Sequence, residues 1–275
     1  MEISIFTTVA TLLGGLAVFI FGMNLMSEGL QKSAGDKMRN ILAMLTANPV
    51  FGVLAGALTT AVLQSSSATT VMVIGFVSAG LMKLPQAISV ILGANIGTTI
   101  TAQLIAFNIG DYAWIFVFVG FIMMFFLKHK EKIRDIGEIA FGFGLLFVGI
   151  NTMGDVMKPL ANAQAFTDLM LKVSDIPILG VLLGIISTMV IQSSSAVIAV
   201  LQNLAATPGP DGVTSVIGLT GALPILFGSN IGTTITALMA SVGASVNAKR
   251  TAVAHTIFNF GGTLIFIWFI PQISK

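Results

Sequence analysis

Four short polar runs interrupt an otherwise apolar chain. Gln64-Ser65-Ser66-Ser67-Ala68 returns as Gln192-Ser193-Ser194-Ser195-Ala196, and Gly93-Ala94-Asn95-Ile96-Gly97-Thr98-Thr99 returns as Gly228-Ser229-Asn230-Ile231-Gly232-Thr233-Thr234. The runs offer hydroxyls, carboxamides and backbone groups, and none carries a charge. Such oxygens replace the water shell of a cation, while N–H groups at helix N-termini stabilise an anion. All eleven acidic residues fall in loops or near the ends of apolar segments, Glu28 and Glu138 coming nearest to the apolar zone. A central site built from these runs therefore suits an anion travelling with sodium. The carboxamides of Gln64 and Gln192 can accept from a backbone donor or lend an oxygen to a cation. A serine nucleophile needs a base beside it; His129 lies in a basic loop and no acid lies at mid-segment, so the chain reads as a non-enzyme.

The composition sets where these runs must work. Of 275 residues, 55% are hydrophobic and 9% charged, with a mean hydropathy of +0.98. Too little charge is present to cover a water-facing surface, which implies a membrane protein. The net charge of +2 forms no basic patch for nucleic acid, and the absence of cysteine excludes disulfides and thiolate metal sites. The apolar segment from Ile3 to Leu30 lacks a basic leader and is too long for a cleaved signal, so it reads as a first transmembrane helix.

Residues 5–30 are long enough to span, since a helix needs roughly 20 residues to cross the bilayer core, and Gly14, Gly15 and Gly22 would admit a close neighbour. Gln31 to Thr46 is amphipathic and reads as a separate helix lying in the interface. Pro49 to Leu63 and Ala68 to Met82 are apolar arms, each too short to cross alone, on either side of the first Gln-Ser-Ser-Ser run. A re-entrant hairpin over 49–82 accommodates both. The next span, Leu84 to Phe107, contains Asn95 to Thr99, a composition expected where a membrane helix unwinds. Residues 112–127 form a third span, followed by the basic loop from Lys128 to Arg134. The order then recurs: a span over 135–157, an amphipathic connector from Pro159 to Ser174, a hairpin over 177–206, a broken span from Val213 to Val242 and a last span over 251–270.

The recurrence has a fixed register. Pro49, Gly52, Gly56, Thr60 and Gln64 pair with Pro177, Gly180, Gly184, Thr188 and Gln192 at an offset of 128, and Gly22-Met23-Asn24 matches Gly149-Ile150-Asn151 at 127. After the hairpins the offset becomes 135, because Asn95 pairs with Asn230 and the insert Thr207 to Val213 intervenes. Three crossings per half is odd, so the halves enter from opposite faces. The expected fold is an all-α polytopic membrane protein of two inverted repeats, 1–131 and 132–275, each with three transmembrane helices, one of them broken, and one re-entrant helical hairpin. Ten basic residues then fall on one face and three on the other; the positive-inside rule puts the ten in the cytoplasm and both termini outside. Asn24 and Asn151 read as interhelical glue, and His255 as structural.

Paired Gln-Ser-Ser-Ser hairpins followed by Gly-Ala-Asn-Ile-Gly-Thr-Thr and Gly-Ser-Asn-Ile-Gly-Thr-Thr, with His255-Thr256-Ile257-Phe258-Asn259 in the last span, resemble the type II sodium-phosphate cotransporters and their bacterial relatives. The likeness runs from about Gly15 to Trp268. It implies sodium-driven import of inorganic phosphate by alternating access, in a cell (inner or plasma) membrane. Ser65, Ser66, Ser67, Ser193, Ser194 and Ser195 are then the expected phosphate ligands. Gln64, Ser65, Thr69, Asn95, Thr98, Thr99, Gln192, Ser193, Asn230, Thr233 and Thr234 are the expected sodium ligands. Thr69 and Thr70 continue the polar run where the second half has Val197 and Ile198, so the sodium site is expected to be asymmetric. Co-transported sodium ions are the only cofactor expected. The expected partners are phosphate, sodium, the lipid bilayer and, as an assembly, a homodimer. A passive anion channel and a sodium-coupled carrier of another oxyanion are the competing readings.

Overall fold

The computed structural model describes residues 5–45, 48–107, 110–127, 130–161 and 163–274, with side chains described except at 5, 34–45 and 158–160. Thirteen α-helices follow one another: α1 Ile5–Leu45, α2 Pro49–Leu63, α3 Ser66–Ser78, α4 Leu84–Ala106, α5 Ala113–Phe125, α6 Glu131–Leu160, α7 Gln164–Asp175, α8 Pro177–Ile191, α9 Ser194–Ala206, α10 Gly218–Gly232, α11 Thr234–Ala240, α12 Val246–Phe266 and α13 Ile270–Ile273. Among the described residues, five segments are long and apolar enough to cross a bilayer: Phe6–Ser33, Leu84–Ala106, Glu131–Met157, Gly218–Ala240 and Val246–Ile273. The protein is thus an all-α, multi-pass membrane protein. The amphipathic α7 meets α8 at 108°, the turn of a helix that lies across the direction of its neighbour.

Glycines set the helix pairing. On α1, a Cβ at Gly15, Gly22 or Gly29 would meet the backbone of α6 at Gly149, Gly142 and Asp135 in turn, so the two helices run antiparallel. Without those hydrogens-only positions the helix axes could not approach so closely. Gly14, expected to share this role, faces nothing within 4 Å. One end of the pair is closed by Lys32 and Glu138, 2.5 Å apart, with Arg134 3.8 Å from the same carboxylate.

Within each half a second glycine seam joins the helix that enters a Gln-Ser-Ser-Ser turn to the helix that carries the Asn-Ile-Gly-Thr-Thr run. Added Cβ atoms would lie 2.0 Å from Val90 O at Gly56 and 1.9 Å from Val53 O at Gly93; the matched positions Gly184 and Gly228 would lie 2.0 Å from Ile225 O and Val181 O. Contacts advance along both helices together, from Gly52 against Ser89 to Gly97 against Thr60, so α2 and α4 are parallel, as are α8 and α10.

Three expectations need correction. Residues 31–45 continue α1 as one helix and do not form a separate element. The span expected over 112–127 is short, a helix of 13 residues after a 3₁₀ turn at Gly110–Tyr112. The break expected within 84–107 is absent: α4 runs unbroken for 23 residues. Thr98 and Thr99 return their hydroxyls to Ala94 O (3.1 Å) and Ile96 O (2.7 Å), and Gly93 and Gly97 serve the seam with α2. Hydroxyls bonded to the preceding turn let such a run stay helical. In the second half the helix is interrupted, at Thr233, with Pro224 inside α10. Lys128 and His129 of the basic loop, and the side chains of Lys37, Arg39 and Lys158, lie outside the described residues.

Candidate functional site

Both Gln-Ser-Ser-Ser runs form the same turn. Gln64 ends α2 at φ 54°, ψ 23°, and Gln192 ends α8 at φ 58°, ψ 22°. These are the only described non-glycine residues with positive φ, a conformation that costs an L-residue roughly 1–2 kcal/mol. The next residue is extended and caps the returning helix: Ser65 Oγ accepts from Ala68 N (3.1 Å) and Ser193 Oγ from Ala196 N (3.2 Å). A left-handed residue followed by an N-cap reverses the chain within two residues. In the first half, Thr60 Oγ1 donates to Thr69 Oγ1 at 2.9 Å, although nine residues of continuous helix would separate them by about 13 Å. The two arms therefore lie side by side.

Each glutamine is held by its own carboxamide. Nε2 donates back to Ala61 O in the first turn and to Met189 O (2.5 Å) in the second, while Oε1 accepts from Thr101 Oγ1 (2.9 Å) and Thr236 Oγ1 (3.0 Å). Thr101 and Thr236 are themselves separated by 135 residues, the offset of the later elements. That register was available as a sequence signal for these two threonines, which motif reasoning passed over.

The two turns meet. A cavity of about 80 Å³ is lined by Gln64, Ser65, Ser66, Ser67, Gln192, Ser193, Ser194 and Ser195, together with Met23, Asn24 and Ser27 of α1. About 10–15 Å³ on this measure admits one water, so the space holds several waters or a small oxyanion. The first N–H groups of α3 and α9, at Ser66, Ser67, Ser194 and Ser195, have no acceptor within their own helices and stand at the positive ends of two helix dipoles. Every described lining residue is uncharged. Asn24, read from sequence as glue, lines this cavity, whereas Asn151 does act as glue, donating to Gly110 O at 3.2 Å. Ser27 Oγ donates to Leu63 O, the last carbonyl of α2.

The remaining expected ligands lie elsewhere. Asn95, Thr98, Thr99 and Asn230 line a separate cavity of about 350 Å³ with Ile198, Leu201 and Gln202. Asn95 Oδ1 is 3.3 Å from His255 Nε2, and its Nδ2 donates to Asn259 Oδ1 at 3.4 Å. Thr69 is fully buried against Thr60. Thr233 and Thr234, at the interruption, donate their hydroxyls to Asn230 O and Ile231 O in the last turn of α10, and none of these three lines either cavity.

Comparison with known proteins places this arrangement. A family model described as Na+/Pi-cotransporter matches twice, over residues 18–155 and 148–272. The uncharacterized protein YqeW of Bacillus subtilis (strain 168) is 35% identical over 252 residues, 92% of this chain and 79% of that protein. The putative inorganic phosphate export protein YjbB of Escherichia coli (strain K12) is 26% identical over 269 residues, 98% of this chain but 48% of that protein. The sodium-dependent phosphate transport protein 2B of Homo sapiens is 38% identical over 105 residues, 36% of this chain and 15% of that protein. No solved structure gives a significant match. A double family match and a relative at this identity, over a chain with two Gln-Ser-Ser-Ser turns facing one cavity, establish that the protein belongs to the Na+/Pi-cotransporter family, a family of transporters and not of enzymes.

Proposed function

We propose that the protein is a sodium-coupled secondary transporter that imports inorganic phosphate by alternating access. The observation that carries this reading is the single uncharged cavity on which two helix N-termini and two serine triplets converge. Phosphate takes the N–H groups and hydroxyls of Ser65, Ser66, Ser67, Ser193, Ser194 and Ser195. Sodium takes side-chain and backbone oxygens at the turns and at the second cavity, from among Gln64, Ser65, Asn95, Thr98, Thr99, Gln192, Ser193 and Asn230, which line them, with Thr69, Thr233 and Thr234 close by in the chain. Two cavities suit two ligand types.

In this reading the repeats, 1–131 and 132–275, are inverted and the Gln-Ser-Ser-Ser units are re-entrant. Several facts support it. The equivalent helices α1 and α6 pair antiparallel, with Gly15 against Gly149 and its counterpart Gly22 against Gly142. The parallel course of α2 and α4 requires α3 to return to the side from which α2 started. α5 with its leading turn is about 25 Å long, enough to cross with slight thinning of the bilayer. The excess of basic residues on one face, ten against three in this topology, supports placing that face in the cytoplasm.

Coupling to sodium separates this reading from a passive anion channel. In proteoliposomes, phosphate accumulation is expected to collapse when external sodium is replaced by choline; equal uptake in both salts would refute cotransport. The name of the Escherichia coli relative favours the opposite direction, and the same vesicles test it: export predicts loss of preloaded phosphate that an inward sodium gradient does not reverse. Competition by arsenate and sulfate tests whether another oxyanion is the better substrate.

A further inference from the structure

The two returning arms, α3 and α9, differ in what they face. In α3, Ile74 lies in a closed apolar cluster with Ala55, Val73, Val77, Val90 and Ala252. At the same place in α9, 128 residues on, stands Gln202, followed by Asn203 where the first half has Gly75. Both amides line a cleft of about 490 Å³ between α4, α6 and α9. Gln202 also reaches across to the first half, donating from Nε2 to Ala102 O at 3.0 Å.

The cleft grades from open to sealed along α9. Ala106, Ala205 and Ala206, at the ends of α4 and α9, are exposed. About 10 Å deeper along the helix axis, its floor is made of Ala199 (0% exposed) and Phe147 (2%). Those two residues belong to one apolar cluster with Met23 and Ala196. Met23 lines the Gln-Ser-Ser-Ser cavity and Ala196 follows Ser195. Residues of one apolar cluster thus line the cleft on one side and border the cavity on the other, and an apolar constriction can block a polar path until it moves.

We infer that this cleft is the route by which phosphate reaches and leaves the Gln-Ser-Ser-Ser cavity, with Gln202 and Asn203 as its polar lining and Phe147 as its seal. The inference rests on the transport reading above. It makes the second half the open side of the molecule in this conformation and the first half, at Ile74, the closed side.

The chain contains no cysteine, so single cysteines report cleanly. Ala205→Cys, at the mouth, and Ile74→Cys, in the closed apolar cluster of the first half, are reconstituted in proteoliposomes and treated with a membrane-impermeant thiol reagent from either side. The expected result is modification of Ala205→Cys from one side only, at least tenfold faster than Ile74→Cys. Modification should abolish most phosphate uptake relative to the same unmodified variant, and inorganic phosphate with sodium should slow it several-fold. No modification from either side would mean a cleft filled by lipid and would overturn the inference. Complete modification with undiminished uptake would also overturn it, leaving the transport reading intact. Absence of sodium-driven uptake in the unmodified wild-type protein would remove the transport reading, and this route with it.

Discussion

The two helix-turn-helix units have nearly superposable turns held in different surroundings. Both place glutamine in the left-handed region and serine at the cap. In the first unit Gln64 is buried and its serines are half-exposed; in the second Gln192 is exposed while Ser194 and Ser195 are buried. The first unit ties its arms together through Thr60 and Thr69, whereas Thr188 of the second turns to Ser229 on α10, 2.7 Å away. The first packs against an unbroken α4 and the second against an interrupted α10–α11. A duplicated motif thus fixes the geometry of the turn, and the neighbours decide how firmly each copy is held.

Substitutions along the shared seam should hit both units hardest and equally. Gly56→Ala and Gly184→Ala each put a methyl 2.0 Å from a backbone carbonyl, and destabilisation at or beyond about 3 kcal/mol is expected from such overpacking. Loss of monodisperse folded protein or a large fall in melting temperature in detergent would register it; tolerance in one half alone would break the equivalence of the seams.

The glutamines should then separate the copies. Gln64→Ala strips a buried hydroxyl, Thr101, of its acceptor, at a cost of about 1–3 kcal/mol. Gln192→Ala should cost less, because Gln192 is exposed. Gln64→Gly should recover about 1 kcal/mol of the loss by relieving the left-handed strain, as read from melting temperatures. Equal effects of the two alanine variants would contradict the difference in burial.

The smallest structural effect is expected for Thr69→Val, which writes Val197 of the second half into the first. It removes the Thr60–Thr69 bond for about 1 kcal/mol. If Thr69 also serves sodium, the sodium concentration giving half-maximal uptake rises; an unchanged value would assign Thr69 to structure alone.

Much of this was legible in the sequence because repetition carries phase. The offset of 128 aligned the turns and their glycines, and the chemistry of serine before an apolar run marked the helix starts. The left-handed glutamines were not legible, since nothing local in Gln-Ser separates an αL residue from one inside a helix. The unbroken α4 was misread for a related reason: Gly93 and Gly97 suit unwinding and close packing alike, and only the neighbour, α2, decides between them. Asn24 borders the Gln-Ser-Ser-Ser cavity while its repeat mate Asn151 bonds to Gly110 O, a difference the sequence does not carry because the helix face that each presents depends on tertiary packing.

The central claim is that both serine triplets serve one site. It is tested most directly by calorimetric titration of the purified protein with inorganic phosphate, in sodium and in choline, for the wild type, Ser66→Ala and Ser194→Ala. One sodium-dependent binding event, weakened at least several-fold by either substitution in a protein that remains folded, is the predicted result. Wild-type affinity in both variants, or two events each abolished by a different substitution, would contradict it.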